Sequence, residues 1–167
     1  MSEPQNQSFV DDIYAEGDLA MNEPILTARK LASELVERRL PILENELCKI
    51  LRELTPEEKL EIVHQVLQKN VRAAAALATR GELPVSEQIF LLEKLLEAGQ
   101  SNAIRHIVSK VFVHRMSSKV FLRTLYEKHR LFPRSVGLAA YYFLSASKVD
   151  AETRVAFRTL IDETKPS

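Results

Sequence analysis

Helix starts recur along this chain at a nearly constant interval. Proline suits the first turn of a helix, where its missing N–H has no partner to lose, and it breaks a helix interior. Pro24, Pro41, Pro56, Pro84 and Pro133 each stand where a new apolar period begins. With Ser, Thr, Asn and Asp as further start signals, odd-numbered helices begin near Thr55, Ser86, Ser117 and Asp150, at steps of 31, 31 and 33 residues. Even-numbered ones begin near Asn70, Ser101 and Phe132, at steps of 31 and 31. A period of roughly 30 to 35 residues made of helix–turn–helix units predicts an all-α chain of stacked helical hairpins. An orthogonal bundle of helices of similar length predicts the same spacing.

Apolar periodicity fills in about eight to nine helices. Residues 24–54 form an N-terminal helical hairpin. Its first helix, Pro24 to Arg39, turns Leu31, Leu35 and Val36 inward. Its second, Pro41 to Leu54, does the same with Leu43, Leu47, Ile50, Leu51 and Leu54, and a single helix kinked at Pro41 is the alternative. T-P-E-E, Thr55 to Glu58, is a capping box with proline at the first helical position. It opens a helix that buries Leu60, Val63, Val66 and Leu67, and the alanine-rich helix after it ends at Gly81. Further on, Pro84 opens a helix that buries Ile89, Leu92, Leu95 and Leu96 and stops at Gly99. Ser101 to Phe112 places Ile104, Ile107, Val108, Val111 and Phe112 on one buried face. Ser117 caps a helix that carries Phe121 and Leu125 inward. Val136 to Leu144 is apolar all round, which predicts a helix enclosed by neighbours, with Gly137 at a close crossing. Asp150 caps a last helix that buries Val155, Ala156, Leu160 and Ile161.

Over residues 55–163 the spacing resembles the helical-hairpin repeat class, whose members include tetratricopeptide and HEAT arrays. That resemblance implies a short α-solenoid-like stack. It lies in the period alone, since the tetratricopeptide signature residues are missing and the chain has no tryptophan. Four glycines in 167 residues argue against a turn-rich sandwich or barrel. No apolar run reaches the roughly 18 residues that a bilayer crossing needs. The start, M-S-E-P-Q-N-Q-S, lacks the basic and apolar parts of a signal peptide. Cys48 is the one cysteine, which excludes an internal disulfide and reads as a small buried hydrophobe. An intracellular, cytoplasmic setting is the expectation, with residues 24–167 as one helical domain.

Net charge is zero, but its distribution is uneven. Residues 1–23 carry six acids and no Lys or Arg, which predicts an acidic, disordered tail. Within it F-V-D-D-I-Y, Phe9 to Tyr14, has the composition of a short docking motif. Residues 100–148 carry nine bases against Glu127 alone. Such a split points to a basic surface for an acidic partner, with Arg105, Lys110, Arg115, Lys119, Arg123, Arg130 and Arg134 as its candidate residues.

Catalytic and cofactor motifs are absent from the sequence. It has no phosphate-cradling glycine loop, no G-x-S-x-G and no H-E-x-x-H. His106 and His114 are eight apart, outside metal-ligand spacing. The expectation is a non-enzymatic protein–protein interaction module, an adaptor or regulatory subunit, without cofactor or metal. Its partner would be an acidic protein segment, with the chain's own Phe9 to Tyr14 stretch as a ligand in cis. Nucleic acid, bound through phosphates by the same bases, is the alternative. The helix after Pro133 offers S-V-G-L-A-A-Y-Y-F-L where a base-reading helix needs Arg, Asn or Gln.

Overall fold

The computed structural model describes residues 23–38 and 40–166, and every regular element among them is helical. In chain order these are α1 (Glu23–Arg38), α2 (Pro41–Leu51), α3 (Pro56–Leu67), α4 (Val71–Arg80) and α5 (Val85–Ala98). Then come α6 (Ser101–Ile107, a π-helical stretch Val108–Phe112, and a last turn Val113–Arg115), α7 (Ser118–Lys128), α8 (Pro133–Ala146) and α9 (Ala151–Thr164). The acidic segment 1–22, with Phe9 to Tyr14, lies outside the described residues.

Local chemistry sets most boundaries. Thr55 Oγ1 accepts from the Glu58 N–H at 3.2 Å while Glu58 Oε1 accepts from the Thr55 N–H at 3.0 Å, completing the capping box. Asn70, Ser117 and Asp150 cap α4, α7 and α9 by accepting from the N–H three residues on. Leu40, extended at φ −87° and ψ 131°, separates α1 from α2, so the two are distinct helices and not one kinked at Pro41. Pro84 is the N-cap of α5 and not its first helical residue. Gly99 closes α5 in the left-handed region at φ 66°. Gly81 does not work that way. Its φ is −79°, and the left-handed position falls to Glu82 at φ 57°. Gly81 is small for a packing reason, since a Cβ there would come within 2.6 Å of Leu77 O and 2.9 Å of Leu51 Cδ1.

The helices stack in two rows. One runs α1, α3, α5, α7, α9, each packed on the next; the other runs α2, α4, α6, α8 in the same way. Hairpin contacts such as α1 with α2 and α3 with α4 join the rows. Residues 24–54 therefore extend the array, with α1 on α3 and α2 on α4. Arg29 pairs with Glu61 between the first two and Arg80 with Glu44 between the second. At the far end α8 touches α5, α6, α7 and α9 and draws the stack together.

Between the rows lies the apolar core, which includes the stripe Ile104, Ile107, Val108, Val111 and Phe112 in full. Two expectations are corrected. Val155 is 62% exposed, because Phe157, Leu160 and Ile161 set the inner face of α9 and Val155 sits about 200° round the helix from Phe157. Val136 to Leu144 is not enclosed, because Tyr141 points outward at 56% exposure. Gly137 does mark a close approach: a Cβ there would lie 2.6 Å from Thr164 Oγ1 of α9.

Candidate functional site

In α6 the apolar pairs Ala103/Ile104, Ile107/Val108 and Val111/Phe112 are buried and recur every four residues. Four residues of an α-helix overshoot a full turn by about 40°, so this stripe would drift across a regular helix. The π-helical stretch takes up the drift: the Val113 N–H donates to Val108 O, five residues back. Polar residues between these pairs are thereby kept on the outer side. Asn102, Arg105, His106, Ser109 and Lys110, with Val71 and Arg72 at the start of α4, line one cavity of about 610 Å³.

No carboxylate lines this cavity. Among the described residues Arg72, Arg105 and Lys110 make no ion pair. The half-buried His106 imidazole is held below its ordinary pKa, first by burial and then by the Arg72 and Lys110 charges. A second concavity, of about 430 Å³ between α1 and α3, contrasts with it. Arg29, Lys30, Ser33, Glu34 and Gln65 line that one, and Arg29 is bound to Glu61.

The same imbalance runs along α4, α6 and α8 of this row, whereas α2 carries Glu44 and Glu46, and Glu44 pairs with Arg80. Helices α4, α6 and α8 contain no Asp or Glu. In the other row α3, α5 and α9 carry three carboxylates each, and α7 carries Glu127. Arg72 and Arg134 are the second residues of α4 and α8. A base in a first turn opposes the helix macrodipole, so neither is placed there to steady its helix.

The sequence-predicted residues divide between the rows. Arg105 and Lys110 share the cavity. Arg115 Nη2 donates to Thr79 O at 3.3 Å, a cation on the last turn of α4, where the dipole favours it. Exposed Arg134 belongs to α8 and exposed Arg130 to the connection before it. Lys119 and Arg123 are exposed on α7, in the other row, and Lys119 lies near enough to Asp150 to help hold that carboxyl ionised. Arg72 joins the cavity from outside residues 100–148. Chain order gives no signal for it, since the 31-residue step from Asn70 to Ser101 sets Arg72 opposite Ala103, and it is the packing of α4 on α6 that brings Arg72 to this cavity.

Among the described residues no group of three or more His, Cys, Asp or Glu side chains could hold a metal ion. No described helix is long and apolar enough to cross a membrane. Comparison with protein-family models, with curated proteins and with solved structures gives no match for this chain.

Proposed function

We propose that this chain is a non-enzymatic interaction module, an adaptor or regulatory subunit, which binds an acidic protein segment along the row α4, α6, α8. The observation that carries this is the absence of carboxylates from α4, α6 and α8, which pack in sequence and carry bases. Arg72, Arg105 and Lys110, gathered at one cavity without a carboxylate, repel one another, and Arg72 and Arg134 also oppose the dipoles of their own helices. Neither of these two features stabilises the fold, whereas an anionic partner relieves both penalties. Long-range attraction from such a surface speeds encounter and selects against basic partners. The lone buried thiol of Cys48, pushed above its ordinary pKa by burial, suits a reducing compartment such as the cytoplasm.

Nucleic acid is the second reading, favoured by one observation. Tyr141, 56% exposed, lies on α8 in the same row and offers a ring on which a base could stack. Fluorescence anisotropy of the full chain with a labelled oligoglutamate peptide, single-stranded RNA and duplex DNA, at two salt concentrations, decides between them. The proposal expects the peptide to bind and to lose affinity in a variant with Arg105→Glu and Lys110→Glu. RNA or DNA binding more tightly than the peptide, with a steep fall as salt rises, would replace it.

A further inference from the structure

Resting on that reading, we propose that the α4–α6 cavity recognises a phosphoryl group, presented on a side chain of the acidic partner segment to Arg72, Arg105 and Lys110. Pockets for apolar ligands are lined mainly by hydrophobic and aromatic side chains. Here Val71 is the one apolar residue among seven lining residues. The rest are two guanidiniums, an ammonium, an imidazole, an amide and a hydroxyl. All of these can donate a hydrogen bond, and three carry permanent positive charge.

Charge distinguishes a phosphoryl group from a carboxylate in such a place. A phosphomonoester carries about −1.5 to −2 at neutral pH and three strong acceptor oxygens; a carboxylate carries one charge on two oxygens. Three cations in a lining without a carboxylate are mostly neutralised by the first and left about two charges in excess by the second. Arg72 and Arg105 can each meet two phosphate oxygens with a planar fork, while Lys110 supplies a point charge. Asn102 and Ser109 stand at the same cavity as neutral donors. Arg72 also sits in the first turn of α4, where the helix dipole adds positive potential. A volume of about 610 Å³ exceeds what a bare phosphate ion fills and admits the residue that bears it.

The test is an NMR titration of the ¹⁵N-labelled full chain with inorganic phosphate, against sodium chloride at matched ionic strength. Saturable shifts are expected at residues 71–72 and 102–110 with phosphate alone. Arg72→Ala, Arg105→Ala and Lys110→Ala, all at exposed positions, should each weaken binding by about tenfold. Shifts that do not saturate, or that chloride reproduces, overturn the assignment. A second arm compares an Asp-rich peptide with a central phosphoserine to the same peptide with serine. The phosphopeptide is expected to bind at least about tenfold more tightly. Equal affinities remove the phosphoryl assignment and leave the acidic-segment reading standing. Saturable phosphate binding with neither peptide bound removes that reading, and with it the peptide source, while the cavity keeps its oxyanion specificity.

Discussion

Phe121 of α7 and Phe143 of α8 stack with ring centroids 4.2 Å apart and planes 20° from parallel. They come from opposite rows, so this contact pins the rows together. Phe157 of α9 lies against Phe143 at 5.3 Å, and Phe112 of α6 approaches Phe121 at 6.0 Å. All four rings are buried, and helices α6 to α9 share them as one centre. Phe112 is two residues from Lys110, so the cationic face of α6 is backed by this cluster of buried rings.

Phe121→Ala should therefore cost about 3–5 kcal/mol, the range for removing a buried aromatic ring. Phe121→Leu keeps most of the volume and should cost less than half of that. Urea unfolding followed by circular dichroism measures both. A loss below about 1 kcal/mol for the alanine variant would mean that the four rings do not form the common centre.

Gly137 makes a prediction of opposite sign in two backgrounds. Alanine in a helix interior is favoured over glycine by about 1 kcal/mol, but a Cβ at 137 would meet Thr164 Oγ1 at 2.6 Å. Thr164 Oγ1 is occupied as a donor to Ile161 O at 2.8 Å. Gly137→Ala alone should thus gain nothing or destabilise. With Thr164→Ala present, the same substitution should raise the melting temperature relative to Thr164→Ala. Equal effects in both backgrounds would show that Thr164 does not set the spacing of α8 and α9.

Helix starts are legible in the sequence because capping is local chemistry: Thr55, Asn70, Ser117 and Asp150 act through bonds to their own next turn. Burial is legible where apolar residues outnumber polar ones on a face, as at Ile104 to Phe112. It is less so on α9, where Val155 and Phe157 compete for the inside and the larger ring wins. Gly81 looks like a left-handed cap by position, yet its constraint comes from Leu51, thirty residues earlier in the chain. The four-residue recurrence in α6 carries the π turn, but only once the stripe is known to stay buried along its whole length. The site is legible in half. Chain order groups Lys119 and Arg123 with Arg105 and Lys110, because it shows no rows. Stacking groups by alternate helices, which separates these pairs and brings in Arg72.

Acid should weaken the array through carboxylates that the fold holds ionised. Glu61 lies below its ordinary pKa, first through its hydrogen bond from Arg29 and then, against burial, through the Arg29 charge. Asp150 lies below its own through the Thr153 N–H. A depressed pKa means stability that is present above the unfolded value and lost as pH falls through the folded one. The window therefore opens near pH 4 and extends downward. Glu61 is 46% exposed, so screening keeps its share below about 1 kcal/mol. Glu61→Gln should flatten the acid limb of a melting temperature against pH curve and leave the neutral region little changed in slope. An acid limb identical to that of the parent chain would remove the Arg29–Glu61 pair as its source.

Charge reversal separates the row from the chain order as the basis of recognition. Arg105→Glu with Lys110→Glu changes two exposed residues of α6 that share one acid-free cavity with Arg72. Lys119→Glu with Arg123→Glu changes two exposed residues of α7, in the row where α3, α5 and α9 hold three carboxylates each, with Asp150 near Lys119. Both double variants shift net charge by the same amount, and neither touches the core, so circular dichroism should report unchanged helicity. The α6 pair should weaken binding of the oligoglutamate peptide by at least about tenfold, because it reverses the field inside the cavity. The α7 pair acts only through long-range attraction, screened beyond about 8 Å at physiological salt, and should cost about two- to threefold. Equal losses would mean that the binding surface follows residues 100–148 as a block and crosses both rows.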